Sequence, residues 1–308
     1  MDNTKLKKIL ENHKKWLNGA SGGERAVLIG ENLRGVDLSG VDLRGASLEH
    51  STLSGANLSK ANLSKTSLRK IDLTEANLRE AILDGAMLCT ADLFVADLSF
   101  ANFQNAKMAK ANLRSALLRE TNLRGATLAD AVIREADLER ADLRETNLLQ
   151  ADLYQVNLRN ANLQKARLQR ANLQRSILTK ADLREANLWG VSLMEANLSG
   201  ANLEGATLPN FQICPETGGF YAWKAATDKV LKIYIPAGAK RTSCLVSRKC
   251  RAEYVKVVKG SGKSAWGGKY VEGKIYRPDG YNDDIRIACA QGVHFFMTKE
   301  EALDWARV

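Results

Sequence analysis

The side chains best suited to chemistry lie in the last third of the 308-residue chain, where Cys250, Cys289 and His294 occur. A thiolate and an imidazole can form a nucleophile pair, and with Cys214 or Cys244 as a further ligand the same residues could bind zinc. The spacing lacks the close pair of ligands that marks most zinc sites. We therefore favour a simpler interpretation, in which the cysteines are small core residues and His294 lies in a strand. It predicts no catalytic residue, no metal site and no cofactor.

Two other segments match catalytic motifs only in part. Residues 260–264 contain the glycines and the lysine of a phosphate-binding loop, but not the spacing between its glycines. The adjacent carboxylates Asp283 and Asp284 follow Gly280 in a turn-like stretch and are expected to be solvated. The sequence therefore predicts that the protein is not an enzyme, with an activity in this last third kept as an alternative.

A basic cluster in the same region is the candidate partner-binding site. Its members are Lys240, Arg241, Arg248, Lys249 and Arg251. Aromatic residues lie nearby in the sequence: Tyr221, Trp223, Tyr234 and Tyr254. Interleaved charges and rings can bind single-stranded nucleic acid by neutralising phosphates and stacking on bases. The alternative is a solvated basic surface above a core that contains the rings.

The segments that must position these residues differ in composition. All four prolines lie at or after residue 209, and 13 of the 19 aromatic residues follow residue 210. The net charge of +10 divides similarly: residues 1–25 carry +3, residues 26–210 are neutral, and residues 211–308 carry +7. No apolar run approaches the roughly 18 residues of a membrane span, and five widely spaced cysteines are typical of reduced thiols. We expect a cytoplasmic protein that does not enter a membrane.

Residues 26–210 are a five-residue repeat. Every fifth residue from Leu28 to Leu208 is apolar, which makes 37 consecutive units without an insertion. The centre is Leu in 34 units, the residue two positions earlier is Ala in 26, and Asn or Asp usually lies between them. A period of five fits neither an α-helix nor a flat strand. It predicts a coil that directs each Leu and Ala inward and stacks on its neighbours at about 4.8 Å.

A second period of 20 residues indicates four units per coil. In the units centred on Leu28, Leu48 and every twentieth residue after them, only two of ten middle positions are Asn or Asp, against 21 of 27 on the other three sides. We therefore predict about nine coils, roughly 45 Å long. The atypical side is mildly basic. Its charged residues are Arg69, Lys70, Lys107, Lys110, Arg167 and Arg170, against Glu49 and Asp130.

The motif A(D/N)LXX over residues 26–210 resembles that of the pentapeptide-repeat family. The resemblance implies a mainly β fold, the right-handed quadrilateral β-helix with Leu as its inward centre. Some members of this family protect gyrase or another topoisomerase by mimicking DNA. Mimicry of a duplex needs a strongly negative surface, and these repeats are neutral. We therefore disfavour that function.

Both ends of a solenoid need a cap. Residues 1–25 supply one, because residues 4–17 have the apolar spacing of a helix, with Trp16 expected to plug the first coil. Residues 211–308 contain runs of β-type residues and end with a capping box, Thr298 to Glu301, that begins a short helix. These features predict an N-terminal capping helix and a small α+β C-terminal domain.

The C-terminal domain resembles the uncharacterised tail of some bacterial and phage pentapeptide-repeat proteins. The matching stretches are residues 219–224, 235–237, 247–254 and 292–296. The resemblance implies no established activity. Taken together, the sequence predicts a non-enzymatic interaction scaffold, a rigid neutral rod that carries a basic, aromatic-rich partner-binding domain. A protein partner is expected, and nucleic-acid binding by residues 211–308 is the alternative.

Overall fold

The computed structural model of the chain describes residues 1–209, 213–227, 229–264 and 267–306. The chain forms two compact units, Met1–Pro209 and Asn210–Val308, which we call the rod and the tail. The predicted boundary between residues 210 and 211 lies outside the described residues. The described part of the chain contains no helix with the length and apolar character of a transmembrane span.

The rod is a stack of coils of 20 residues each. Short parallel bridges join the middle residue of each unit to the one 20 positions later, from Val27 with Ser47 to Asn187 with Thr207. The Ser47 amide donates to the carbonyl of Ala26, and the Ser47 carbonyl accepts from Leu28. The backbone therefore pairs from coil to coil, as buried backbone groups require.

Leu centres and the small residues two positions earlier fill the interior of the rod. Leu118 and Ala116 are fully buried, and the larger centre Phe103 is accommodated equally well. Small side chains at alternate inward positions allow facing walls of a narrow coil to pack without voids. The prediction that both the Leu centre and the small residue two positions earlier point inward is therefore confirmed.

The corner after each centre is a tight turn. The Ala46 amide donates to the Leu43 carbonyl, and Gly45 between them has φ of 68°. Many corners have a side chain at the same position, for example Lys110 at φ 59° and Glu120 at φ 54°. This conformation disfavours most L-residues, so the repeated pairing between coils must hold it in place.

Asn and Asp side chains at the middle positions form ladders. The Asp97 carboxylate accepts from the Ser99 amide at 3.0 Å, which closes a local turn. Asn77 Nδ2 also donates to Asn57 Oδ1 at 3.2 Å, which joins adjacent coils. The same residue type thus stabilises both the corner and the stack.

Helix α1 (Asn3–Leu17) lies at the start of the rod. Its buried residues are Leu6 and His13. The prediction that Trp16 plugs the first coil is wrong, because its side chain is 41% exposed. Trp16 instead stacks on the His13 ring, with 5.4 Å between ring centroids.

The tail combines short strands with one helix. The strands are β1 (Phe220–Ala225), β2 (Val230–Ile235), β3 (Arg241–Ser243), β4 (Cys250–Ala252), β5 (Val255–Lys259), β6 (Gly262–Lys263), β7 (Lys269–Tyr270), β8 (Ile275–Tyr276) and β9 (Val293–Phe295). They form antiparallel sheets in the orders β1-β2-β5-β8, β3-β4-β9 and β6-β7. Helix α2 (Lys299–Ala306) follows them, and Thr298 and Glu301 form the predicted capping box at its start.

The tail core lies on one face of the four-stranded sheet. Leu231 and Ile233 of β2 pack in one apolar cluster with Val293 and Phe295 of β9. Alternate residues of β2 point the other way, because successive side chains of a strand leave opposite faces. One end of this outer face packs against α2, where Trp223, Ala225 and Val230 meet Phe296 and Ala302, and the other end, at Tyr221, is exposed.

Candidate functional site on the tail sheet

The structure separates the three residues best suited to chemistry. In the register of β4 and β9, Cys250 pairs with Phe295, whereas Arg251 pairs with His294. Directly paired residues share a face and adjacent residues do not. Cys250 and His294 therefore lie on opposite faces of this sheet.

Cys250 belongs to a buried cluster with Cys214 and Ser243. The Ser243 hydroxyl lies 3.4 Å from Cys214 Sγ and 3.9 Å from Cys250 Sγ. A hydrogen bond from the Cys250 thiol lowers the pKa of Cys214, and the same bond raises the pKa of Cys250. The pair sits in the apolar core, which excludes a substrate from it.

Cys289 and His294 line a cavity of about 460 Å³ together with Lys224. Burial, assisted by the charges of Lys249 and Lys224, lowers the pKa of His294 to about 4. Burial likewise lowers the pKa of Lys224 to about 8. The imidazole is therefore neutral at physiological pH.

The cavity does not form a nucleophile pair. His294 Nε2 is buried without a hydrogen-bond partner among the described residues, and Cys289 Sγ accepts instead from Lys249 Nζ at 3.1 Å. A thiol is activated by a base in hydrogen-bond contact, and the two residues lack that contact. No three His, Cys, Asp or Glu side chains of the described part of the chain are grouped to hold a metal ion.

Two of the five predicted partner-binding residues, Arg241 and Arg251, hold the tail together instead. The Arg251 side chain is 1% exposed, and its guanidinium donates to the carbonyls of Ile287 and Asp284. Arg241 is half-buried and donates to several carbonyls, among them Ala237 at 2.6 Å. A guanidinium used in this way has little surface left for a partner.

The other three predicted residues are divided between core and surface. Lys249 is buried, with Nζ 3.1 Å from the ring centroid of Trp305. Arg248 is exposed and pairs with Glu301 at 2.8 Å, and Lys240 is exposed. The five therefore do not form one basic surface, and only Lys240 and Arg248 stay candidates for a partner.

A row of side chains crosses the outer face of the four-stranded sheet. Tyr221 pairs with Tyr234, Tyr234 with Lys256, and Lys256 with Ile275. Tyr221 and Ile275 are 59% and 60% exposed. The rings of Tyr221 and Tyr234 lie 5.2 Å apart and are tilted by 56°, and Tyr234 is the more buried of the two.

Trp223 and Lys232 pair two positions further along the same face. Lys232 Nζ lies 4.8 Å from the ring centroid of Tyr221 and 6.0 Å from that of Trp223, within cation–π range. We call Tyr221, Trp223, Lys232, Tyr234 and Lys256 the aromatic–lysine face.

The lysines of this face keep their positive charge available. Among the described residues, neither Lys232 nor Lys256 forms an ion pair with a carboxylate. A cavity of about 460 Å³ opens between Tyr221, Tyr234 and Lys256, within the size range of small-ligand sites. The arrangement can stack a planar group and neutralise an anion beside it.

Known families match both units of the chain. A family model of pentapeptide repeats, with eight copies, matches residues 24–55, 56–93, 96–134, 136–175 and 176–210. A family of unknown function, DUF5758, matches residues 210–302. No curated protein matches the sequence.

Solved structures also resemble the chain. HetL, involved in heterocyst differentiation regulation in the cyanobacterium Nostoc sp. strain PCC 7120, is 34% identical over 64% of this chain and 97% of its own, with a TM-score of 0.40. QnrB1, a plasmid-mediated fluoroquinolone resistance protein, is 21% identical over 61% of this chain and 93% of its own, with a TM-score of 0.35. A pentapeptide repeat protein of the Arabidopsis thaliana thylakoid lumen is 28% identical over 39% of this chain and 69% of its own, with a TM-score of 0.29.

Proposed function

The chain belongs to the pentapeptide-repeat family, and we propose from this premise that it is a non-enzymatic interaction scaffold, a rigid rod that carries a partner-binding tail. The observation that carries the proposal is the continuity of the rod. Every unit centre from Leu28 to Leu198 is buried, and the bridges keep one register throughout. A filled interior leaves the outer surface as the place for function, and repeat rods use extended surfaces of this kind.

The tail is the proposed contact with a protein partner. Interfaces are enriched in Tyr and Trp relative to the rest of a protein surface, and the aromatic–lysine face has both residue types together with unpaired lysines. Lys240 and Arg248 are exposed and extend the basic character of the tail. We therefore expect the partner to contact Tyr221 and Tyr234 directly.

Three further features belong to the same proposal. The right-handed winding of the coils is what membership of the family implies. The cytoplasmic location rests on five free cysteines, since such proteins keep thiols reduced. A bacterial or phage origin rests on the likeness of the tail. Mimicry of DNA is not part of the proposal, because the repeats carry no net charge.

Single-stranded nucleic acid is the second candidate partner of the tail. It is favoured by the alternation of rings and unpaired lysines on the aromatic–lysine face, where bases would stack on Tyr221 and phosphates would meet Lys232 and Lys256. Stacking of one base on an aromatic residue contributes about 1–3 kcal/mol. The basic residues that this partner would contact, Lys232 and Lys256, are not among the five that the sequence predicts.

Chemical crosslinking tests the protein partner. The 308-residue chain is crosslinked through its amines in an extract of the source cells, and partner peptides are mapped by mass spectrometry. We expect crosslinks at Lys232 and Lys256 that disappear in the variant Y221A/Y234A. Crosslinks confined to the rod, and unchanged in this variant, would contradict a tail contact.

Fluorescence anisotropy with labelled single-stranded oligonucleotides tests the second candidate. At 50 mM salt the wild-type protein should bind, and Y221A/K232A/K256A should bind at least about tenfold more weakly, because it loses one stacking ring and two phosphate contacts. The matched control K263A/K269A removes the same number of charges from exposed lysines elsewhere on the tail. An equal loss of affinity in both variants would mean that binding depends on the net charge of the tail and not on the aromatic–lysine face.

A further inference from the structure

The basic residues of the rod differ in whether they form ion pairs. Residues 26–209 contain 22 Lys and Arg. Of these, 12 form ion pairs with carboxylates within this described part of the chain. The remaining ten are unevenly placed around the coil.

Six of those ten lie on the atypical side of the coil, which we call the basic face. They are Arg69, Lys70, Lys107, Lys110, Arg167 and Arg170. All six are exposed, and none forms an ion pair with a described carboxylate. Every cation of this face is therefore unpaired, whereas 12 of the 16 on the other three sides are paired.

The difference has a structural cause. On the other sides, six of the 12 ion pairs use an Asp at a middle position, as Asp137 pairs with Arg119, and the other six use a Glu at a corner, as Glu135 pairs with Arg114. The middle positions of the basic face contain no Asp, and its corners contain no Glu. Arg69 contacts the sulfur of Met87 at 3.6 Å, and Arg170 lies over the Trp189 ring at 5.1 Å. These contacts are with uncharged groups and leave both positive charges unneutralised.

The cations of the basic face form pairs along the rod. Lys107 and Lys110 lie three coils from Arg167 and Arg170, about 14 Å at sheet spacing, and Arg69 and Lys70 lie about 10 Å away on the other side. The whole row spans about 24 Å, the length of about seven base pairs of a nucleic-acid duplex. Glu49 and Asp130 are the acidic residues of this face, so cations outnumber them by four.

The surface between the cations lacks large exposed apolar side chains. Thr127, Ala129, Asn147 and Gln150 lie between Lys110 and Arg167, together with the exposed Asp130 and the half-buried Leu149. The exposed large apolar residues of this side, such as Ile29 and Trp189, lie beyond the row, and others, such as Phe100 and Leu117, lie on another side. Protein interfaces have an apolar core and membrane-binding surfaces insert apolar groups. Phosphate contacts need neither.

We propose that the basic face binds the phosphate backbone of double-stranded nucleic acid without reading its sequence. A straight, rigid row of cations fits a duplex, whose persistence length of about 150 base pairs keeps it straight over this distance. The inference rests on the scaffold function proposed above, but it concerns the rod and does not depend on the aromatic–lysine face.

The test uses two matched variants of the 308-residue chain. K107E/K110E/R167E/R170E reverses four charges of the basic face. R34E/K65E/R159E/K180E reverses four exposed, unpaired cations on the other sides, so both variants change the net charge equally. Glu is tolerated at corners, where Glu120 already has a φ of 54°. Unchanged thermal unfolding of both variants verifies their fold.

Anisotropy with a labelled duplex of about 24 base pairs, at 50 to 200 mM salt, gives the result. Six phosphate contacts predict a slope of about −5 for log K against log salt, and loss of four contacts predicts a slope near −2. We expect the basic-face variant to bind at least tenfold more weakly at 50 mM salt and the control variant within threefold of wild type.

Three outcomes would overturn the proposal. The first is absence of duplex binding by the wild type at 50 mM salt, and the second is an equal loss in both charge variants. The third is tighter binding of polyglutamate or of vesicles with anionic lipid than of the duplex, dependent on the same four residues, which would assign the face to an acidic protein or a membrane. Failure of single-strand binding by the tail would leave the duplex result unaffected.

Discussion

His13 accepts a hydrogen bond at Nδ1, 3.0 Å from the backbone nitrogen of Ala26, the first residue of the repeats. The bond joins the cap helix to the first coil, and His13 is fully buried where it forms. An imidazole nitrogen accepts a hydrogen bond only when it is unprotonated. The neutral form of His13 therefore holds the cap on the rod.

This contact predicts a rod that loses stability in mild acid. Burial lowers the pKa of His13 in the folded protein, whereas the unfolded chain takes up a proton near pH 6.5. The stabilisation is therefore complete above about pH 6.5 and is lost as the pH falls toward the folded pKa. Thermal unfolding followed by circular dichroism at pH 7.5 and 5.5 measures the decrease.

The variant H13N is the control for this prediction. An Asn side-chain oxygen can accept from Ala26 but does not titrate in this range. Its melting temperature should decrease less than that of the wild type between the two pH values. Equal decreases would assign the pH dependence to other groups.

Two adjacent leucines in one unit should respond very differently to the same truncation. Leu118 is a fully buried centre, whereas its neighbour Leu117 is 44% exposed. L118A should destabilise the rod by about 2–5 kcal/mol because it removes buried methyl groups and leaves a cavity. L117A should change stability by less than about 0.5 kcal/mol. Denaturant unfolding of the two variants compares them directly, and similar losses would contradict the predicted interior.

The rod could be predicted from the sequence because its pattern is local. One unit contains the inward Leu, the inward small residue and the corner, and each later unit repeats them. In the tail, β1 and β2 have clear β-type runs, but β3 and β6 are two or three residues long and contain residues such as Arg241 and Lys263. Strands this short form through their partners and leave no pattern of their own.

Only part of the candidate site could be predicted from the sequence, because the rest depends on how the strands pair. Tyr221 and Tyr234 stand out as rings in a basic region, but Lys256 joins them only through the register of β1, β2 and β5. Proximity in sequence instead groups Arg241 with Arg251, and the fold directs both guanidinium groups to backbone carbonyls. Charge counts alone do not reveal which cations the fold uses.

Arg251 and Arg248 should differ sharply when truncated. Arg251 is buried and donates to two carbonyls, so R251M leaves those carbonyls unsatisfied and should destabilise the tail by about 2–4 kcal/mol. R248A removes an exposed ion pair with Glu301 and should cost less than about 1 kcal/mol. Urea unfolding followed by tryptophan fluorescence measures both. If R251M leaves the stability of the tail unchanged, Arg251 is not needed for the fold and is again a candidate for partner binding.

The five cysteines should react with an alkylating agent in the order of their exposure. Cys289 is exposed, Cys89 is half-buried, and Cys214, Cys244 and Cys250 are buried. Buried thiols react only when the surrounding structure opens. Under native conditions, iodoacetamide should therefore modify Cys289 first, Cys89 more slowly, and the other three only as the tail unfolds. Mass spectrometry of digests taken at successive times gives the rates, and in urea all five should react alike. Modification of Cys250 as fast as Cys289 in the native protein would contradict the buried cluster with Ser243, because alkylation requires solvent access to Sγ.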